Sequence, residues 1–356
     1  MTQRAMTCRR LIAGTLFIMF SWMIAAPGYS AQPPSSNREQ LGTKASVALN
    51  INKIYELNEL NETYVIDGYL VTSWQDDGLV ERIESGAVAP DVYENSAIDN
   101  LIAGGLRIPA IEFINVVGNR SVANRQVVIG EDGKVLYNER FQATFSTPMD
   151  FRKFPFDNQI LTVQLESFSY DKTRFEFVDP KVYPELVNMD MLAEWNIVDK
   201  QVFISDQDYS HLSEDGSKTE FSRYNLNFTL ERKCDYYVWN FMLPLILIIT
   251  SSWCVFWVDD FLTNISIAFT LMLTVVAFTF QATSLLPRLP YTTFMGMLTI
   301  LGYLSIFASM VVIVAAELFE RKSEDFDKAK LMRSARVFYP ICIICIILFQ
   351  IRIFDL

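Results

Sequence analysis

One apolar segment late in the chain carries small, hydroxyl and apolar side chains at helical spacing. These residues, which we call the stripe, are Ser266, Thr270, Leu273, Ala277, Phe280 and Ser284. Steps of four and three residues keep side chains on one face of an α-helix. Several copies around an axis would form hydroxyl rings, with an apolar constriction at Leu273, Ala277 and Phe280 that can gate by dewetting. The spacing therefore predicts a helix that lines a water-filled path. The alternative, hydroxyls that bond only their own helix or its neighbours, stays open.

Two carboxylates, Asp259 and Asp260, stand just before this segment. Repeated around a ring, they would favour monovalent cations. The sequence from Asp259 to Leu286 contains no Lys or Arg, so it offers no ring that would select anions. The alternative is an ordinary solvated turn.

The chain offers little for enzymatic chemistry. Its one histidine, His211, lies in a polar stretch without a nearby cysteine, so no catalytic triad or zinc site can be assembled from recognisable motifs. We expect no catalytic residue, no metal site and no cofactor. A net charge of -11 argues against a nucleic-acid partner. It leaves divalent cations open as modulators of an acidic surface.

The stripe belongs to the second of four apolar segments, each close to or above the length of a membrane span. The segments cover residues 239–258, 262–286, 291–316 and 337–354. Short joints predict antiparallel neighbours in one helical bundle surrounded by membrane lipid. The loop 317–336 is rich in Lys and Arg, which predicts a cytoplasmic position.

The chain before these segments has a different character. Residues 1–31 have the basic, apolar and small-residue order of a signal peptide. From 32 to 235, short runs with period two predict an extracellular β-sandwich of about ten strands, immunoglobulin-like in architecture. The clearest run is Tyr224, Leu226, Phe228 and Leu230, and the stretch 131–134 predicts a tight hairpin turn. Residues 236–356 would form the four-helix transmembrane domain.

Residues 147–161, which we call the signature loop, read TPMDFRKFPFDNQIL. This segment resembles the loop that gives the Cys-loop receptor superfamily its name, with the specific core Phe-Pro-Phe-Asp-x-Gln. Animal members have a disulfide between two cysteines that bracket this loop, and Thr147 and Leu161 stand at the corresponding positions here. Bacterial pentameric ligand-gated channels also lack this disulfide. Among them, the chain resembles the proton-gated channels most. Stretches 68–76, 108–115 and 286–291 also match. Departures are Arg107 where the family has Trp and Leu262 where it often has Glu.

The resemblance implies a homopentamer, in which each chain has four identical partners around a central pore. It also implies a pocket between subunits for a small-molecule or proton agonist. Tyr69 would lie on one side of this pocket, and Ile114, Phe168 and Phe221 on the other. Aromatic boxes bind ammonium groups, but this set is poor in Trp and Tyr, which disfavours a simple quaternary amine. Alternatively, Phe168 and Phe221 belong to the sandwich core.

The resemblance further assigns coupling between the two domains. The residues concerned are Glu59, Phe154, Pro155, Asp157, Arg232, Pro287 and Arg288. A carboxylate–guanidinium cluster at a domain junction can adopt two arrangements, as a switch requires. A static salt bridge is the alternative.

The expected function is that of a ligand- or pH-gated cation channel. It would lie in the bacterial inner membrane as a multi-pass protein, with its N-terminal domain on the extracellular or periplasmic side. A non-conducting receptor tethered by helices is the main alternative, although it does not explain the stripe. A secondary transporter is disfavoured because four spans supply no paired, interrupted helices.

Overall fold

The computed structural model describes residues 42–182, 192–212, 219–283, 288–323 and 326–355. The expected signal peptide, Ser284 and Pro287 lie outside the described residues.

The first part of the described chain is a β-sandwich, which confirms the predicted fold class. Its strands are β1 Thr43–Asn58, β2 Thr63–Gln75, β3 Val92–Glu94, β4 Ile111–Phe113, β5 Ser121–Ile129, β6 Lys134–Ser146, β7 Asn158–Ser167, β8 Phe175–Val182, β9 Trp195–Asp208 and β10 Glu220–Arg232. One sheet has the order β3-β5-β6-β2-β1-β8 and the other β4-β7-β10-β9. The short helix α1 Asp77–Glu84 follows β2, and the short helix α2 Ser96–Ala103 follows β3.

Alternating burial along the strands forms the sandwich core. The predicted run on β10 points inward, and Tyr224, Leu226, Phe228 and Leu230 have no exposed surface. Leu226 pairs with Val163 of β7 in antiparallel register. Burying each such side chain contributes about 1.5–3 kcal/mol relative to exposure. The predicted hairpin turn joins β5 to β6, with Gly133 at φ +77° as the residue in the left-handed region.

The first apolar segment is an interrupted helix, Asp235–Trp257. It comprises α3 Asp235–Tyr237, a π-helical turn Val238–Met242, α4 Leu243–Cys254 and a 3-10 turn Val255–Trp257. Pro244 stands at the start of α4. Because proline has no N–H to donate to the preceding turn, the regular bonding pattern changes there.

The remaining segments form α5 Phe261–Thr283, α6 Phe294–Lys322 and α7 Lys328–Phe354. Among the described residues, four helices are long and apolar enough to cross a membrane. The helices α6 and α7 extend into the expected loop 317–336, which is therefore largely helical. Hydropathy marks only the apolar part of a helix. Beyond that part, polar contacts stabilise the helical turns: Glu317 pairs with Arg321 in α6, and Asp327 caps α7 by accepting from Lys330 N at 2.9 Å.

Packing inside the bundle joins α4, α5 and α6. Their shared apolar cluster contains Leu245, Ile249, Val275, Leu298, Leu301 and Ile306. Gly302 allows close approach, because a Cβ there would lie 3.3 Å from Leu245 Cδ1. The outer helix α7 is also attached by polar contacts. Tyr339 OH lies 2.5 Å from Ser252 Oγ and donates to Ser305 O at 2.8 Å.

Candidate functional site

The helix α5 has two contrasting faces. The described stripe residues are all exposed in the subunit, including Leu273 at 69% and Phe280 at 75% of their surface. On the other side, Asn264, Ala268 and Val275 are buried against the rest of the bundle. The subunit therefore leaves the five described stripe residues on a face that its own helices do not cover.

The hydroxyl groups on this face donate to their own helix. Ser266 Oγ donates to Leu262 O, Thr270 Oγ1 to Ser266 O and Thr274 Oγ1 to Thr270 O, each at 2.8 Å. Such bonds use the hydroxyl hydrogen and leave oxygen lone pairs as acceptors for water or a cation. These hydroxyl groups can therefore bond their own helix and still present a row of acceptor oxygens on its exposed face. Thr274, also exposed, is missing from the predicted stripe.

Asp259 and Asp260 are both exposed at the start of α5. Asp260 Oδ2 accepts from Thr263 N at 2.8 Å and from Thr263 Oγ1 at 2.6 Å. These bonds lower the pKa of the Asp260 carboxyl, so it stays ionised to lower pH than an ordinary Asp. Asp260 is thus a helix cap as well as a fixed negative charge.

The four residues predicted for the agonist pocket lie on two different sheets. Tyr69 is a partly buried residue of β2. Ile114 directly follows β4, Phe168 directly follows β7, and Phe221 belongs to β10 of the four-stranded sheet. Phe168 has 74% of its surface exposed and Ile114 has 41%, so Phe168 is not part of the sandwich core. Phe221 and the strand ends next to Ile114 and Phe168 belong to the four-stranded sheet, whereas Tyr69 belongs to the other sheet.

A charged cluster that the sequence analysis missed stands beside Phe221. Arg223 Nε and Tyr209 OH both donate to the Glu166 carboxylate, the latter at 3.2 Å, and Arg223 Nη2 donates to Tyr209 OH at 3.0 Å. The Tyr209 ring lies 5.5 Å from the Phe221 ring. Burial and the Glu166 charge raise the pKa of Tyr209. The pairing of β7 with β10 places Glu166 opposite Arg223, a register that the sequence alone does not reveal.

The end of β10 places Arg232 at the centre of what we call the junction cluster, together with Glu59 and Asp157. Arg232 Nε and Nη2 donate to Asp157 at 2.7 and 3.0 Å, and Nη1 donates to Glu59 Oε1 at 2.6 Å. The Arg232 side chain has no exposed surface, against 1% for Asp157 and 15% for Glu59. Such a bidentate pair is both strong and geometrically specific.

Aromatic rings enclose the guanidinium of Arg232. Its Cζ lies 4.1 Å from the ring centre of Trp195, 4.9 Å from Phe154 and 5.5 Å from Tyr237. Trp195 and Tyr237 were not among the predicted residues, although Tyr237 stands only five residues after Arg232. Pro155, which follows Phe154 through a cis peptide bond, is also buried. The ion pairs of this cluster, within the described residues, do not include Arg288, which is exposed.

Burial of the Glu59 carboxyl disfavours its ionised form. Burial raises the pKa of its carboxyl, the hydrogen bond and charge of Arg232 oppose this, and the charges of Asp157 and Glu194 add to the rise. For Arg232, burial alone would lower the pKa, but the bonds to both carboxylates raise it above the ordinary value. The guanidinium is therefore charged at any pH the protein meets.

The signature loop also binds the first turn of α6 directly. Phe294 N donates to Arg152 O at 2.8 Å and Met295 N donates to Phe154 O at 3.3 Å. Tyr291 OH accepts from Phe151 N at 3.1 Å. Helix starts leave N–H groups without partners, and here the loop supplies them. The sandwich is thus bonded to α6 through main-chain atoms.

Comparison with known proteins agrees with this architecture. Residues 27–234 match the neurotransmitter-gated ion-channel ligand binding domain. Over 320 residues, the chain is 27% identical to a proton-gated ion channel of Gloeobacter violaceus, an alignment covering 87% of this chain and 82% of the relative. It is also 27% identical to γ-aminobutyric acid receptor subunit β-4 of Gallus gallus over 258 residues, 69% of this chain and 49% of that subunit. The chain therefore belongs to the neurotransmitter-gated ion-channel family, as its signature loop predicts.

Proposed function

We propose that this protein is a subunit of a ligand- or pH-gated cation channel whose pore is lined by α5. The observation that carries the proposal is the exposed stripe, because a single subunit leaves its five described residues, from Ser266 to Phe280, exposed. Five identical subunits around an axis would turn this face inward. Rings of Ser266 and Thr270 oxygens would then face water, and Leu273 and Phe280 would form the apolar constriction.

Selectivity for monovalent cations would come from Asp259 and Asp260. Both are exposed at the beginning of α5, and the lowered pKa of Asp260 keeps it ionised. A ring of such charges at one mouth raises the local concentration of cations. This assignment predicts a current whose reversal potential follows sodium rather than chloride.

Agonist binding is assigned to the interface between neighbouring sandwiches. Ile114 and Phe168 are exposed at strand ends of the four-stranded sheet, whereas Tyr69 belongs to the other sheet. A pocket formed by all these side chains would therefore be shared between two neighbouring subunits. The relative from Gloeobacter violaceus is named as proton-gated, and the relative from Gallus gallus as a γ-aminobutyric acid receptor subunit. Protons and small molecules are accordingly the two agonist classes to test, with divalent cations as modulators.

Coupling to the pore would run from the pocket through the junction cluster and the signature loop. Arg232 connects β10 to the first spanning segment and is bonded to both Asp157 and Glu59. The signature loop is bonded to α6, so a shift of the loop would act on the bundle. Pro287 and Arg288, in the joint between α5 and α6, would receive this movement.

We place the chain in a bacterial inner membrane. A signal peptide, residues 1–31, would direct residues 32–235 to the periplasm, and residues 236–356 would span the lipid bilayer. The basic residues between the last two spans support a cytoplasmic position for that end of the bundle.

Electrical recording from oocytes that express the chain tests the proposal. External pH is stepped from acid to alkaline, and amines and aromatic acids are then applied. A gated current that reverses with the sodium gradient is the expected result. Phe168→Ala and Tyr69→Ala should shift the agonist response while leaving the reversal potential unchanged. Surface expression without current under all these conditions would instead favour the non-conducting receptor.

A further inference from the structure

The Glu166 carboxylate is a buried negative charge that the proposed mechanism does not use. Its side chain has only 4% of its surface exposed, and it precedes Phe168 by two residues at the end of β7. Positions two residues apart lie on the same face of a strand. Strand geometry continues to Phe168, because its N–H still donates to Ala110 O at 2.8 Å. Glu166 therefore lies beside a ring that is proposed to contact the agonist.

Arg223 supplies the counter-charge from within the same subunit. Its Nε donates to Glu166 Oε1 and its Nη2 donates to Tyr209 OH at 3.0 Å, while Tyr209 OH donates to Glu166 Oε2 at 3.2 Å. Arg223 follows Phe221 by two residues on β10, and the Phe221 ring lies 5.5 Å from that of Tyr209. The ion pair therefore adjoins a second residue of the proposed pocket.

The guanidinium is the more accessible member of this pair. The Arg223 side chain has 15% of its surface exposed, against 4% for Glu166. To reach the carboxylate, an ammonium group of a ligand would have to displace a guanidinium that the chain holds next to it. A tethered group competes at a high effective concentration, so a free amine at ordinary concentration would lose this competition.

A second carboxylate near the pocket is a weaker attractor for cations. Glu112 stands opposite Glu166 in the antiparallel pairing of β4 with β7, and it is exposed to solvent. Water and salt weaken the attraction between an exposed carboxylate and a cation. Glu112 alone would therefore give an amine little affinity, and the buried Glu166 is the carboxylate that decides.

We propose that Arg223 is the internal cation of the agonist pocket and makes the pocket reject amines, so that its small-molecule agonists are uncharged or anionic. The guanidinium occupies the carboxylate that an ammonium group would need, and it also repels other cations. This inference rests on the agonist pocket of the proposed function. It adds a reason for rejecting amines to the shortage of Trp and Tyr among the predicted pocket residues.

The test makes room for an external cation. Arg223→Ala leaves the Glu166 carboxylate beside an empty space, and Arg223→Ala/Glu166→Gln is the matched control with the same space but no charge. The purified full-length protein is titrated with millimolar methylguanidinium or propylammonium chloride at constant ionic strength, and the melting midpoint reports binding. Wild type should show no shift. Arg223→Ala should bind either cation about 10- to 100-fold more tightly than the control, as expected for a hydrogen bond to a charged group.

Electrical recording then tests whether this space belongs to the agonist pocket. Propylammonium should leave the wild-type current unchanged and should alter the current of Arg223→Ala. Adding Phe168→Ala to that variant should weaken the response, because the exposed ring would contact the bound cation.

Three results would overturn the proposal. The first is wild-type protein that binds propylammonium and loses this binding in Glu166→Gln, a comparison that does not require Arg223→Ala to fold. The second is equal affinity in Arg223→Ala and its control, and the third is a propylammonium response that ignores Phe168→Ala. The melting measurements need no current. Charge-dependent binding without current under any condition would therefore count against the proposed channel and not against the role of Arg223.

Discussion

Replacing Asp157 with Asn tests whether the junction cluster depends on a buried charge pair. The Asp157 carboxylate accepts from Arg232 at 2.7 and 3.0 Å and from Gln159 Nε2 at 2.6 Å. Asparagine keeps the shape of the side chain but replaces one carboxylate oxygen by an NH2 group. This group would face an N–H donor of Arg232 or Gln159 where the oxygen had accepted a hydrogen bond. Arg232, with no exposed side-chain surface, would retain only Glu59 as its carboxylate partner.

The size of the effect follows from this burial. Removing one partner of a buried ion pair costs about 3–5 kcal/mol, because the other charge remains without compensation. In a domain of roughly 150–250 residues, each kcal/mol lowers the melting midpoint by about 2–4 °C, which gives a drop on the order of 10 °C. The measurement is the fraction of protein that elutes as the intact assembly in size-exclusion chromatography after heating.

Glu59→Gln is the matched control in the same cluster. Glu59 is more exposed, at 15%, and burial raises the pKa of its carboxyl, so its ionised form gains little net stability from Arg232. We therefore expect this variant to melt at or slightly above the wild-type midpoint at neutral pH. A shift of less than about 2 °C for Asp157→Asn, or equal shifts for both variants, would refute the reasoning.

Four further changes test other parts of the structure. Leu273→Ala should lower the agonist or proton concentration for half-maximal current, since it removes bulk from the proposed constriction; an unchanged response would contradict the constriction. Glu59 also predicts a pH dependence, because its pKa is raised in the folded protein. The stability that the protonated Glu59 side chain contributes is complete below pH 4.5 and is lost as pH rises through the raised pKa. The melting midpoint of Glu59→Gln should therefore rise relative to wild type as pH increases past 4.5. Tyr291→Phe removes the hydrogen bond that Tyr291 OH accepts from Phe151 N, which is worth about 1 kcal/mol. The Phe151 amide hydrogen should therefore exchange about fivefold faster with solvent deuterium. Gly302→Val should lower stability by about 1–3 kcal/mol through overpacking, measured as an earlier melting midpoint, whereas Ala308→Val on an exposed surface should not.

The strands of the sandwich can be predicted from the sequence, because burial of one face of a strand requires an apolar residue at every second position. Tyr224, Leu226, Phe228 and Leu230 alternate in the sequence and are all buried. Helix ends are less accessible to this reasoning. Hydropathy places the end of the third apolar segment at residue 316, but α6 continues to Lys322 because water-exposed ion pairs extend it.

The residues of the candidate site also fall into those that the sequence predicts and those that only the folded structure reveals. The stripe depends on spacing within one helix, so the sequence alone indicates its exposed face. Glu59, Asp157 and Trp195 come to Arg232 from distant segments, and the contact of Trp195 is visible only when the chain is folded. Tyr237 is close in the sequence, but no local pattern indicates that its ring packs on the guanidinium. The Glu166–Arg223 pair depends on the register between β7 and β10, which no local pattern specifies.

The main-chain bonds between the signature loop and α6 have a consequence for exchanging domains between related channels. Carbonyl oxygens accept hydrogen bonds whatever side chain they carry, so the bonds from Phe294 N and Met295 N would survive replacement of the whole sandwich by that of a distant relative. Contacts made by side chains, such as Lys153 Nζ with Asp355 O at 3.0 Å, would not. A hybrid joined just after Arg232 should therefore assemble with its two halves in register. Tyr291 and the end of α7 are the first places to adjust if its gating is impaired.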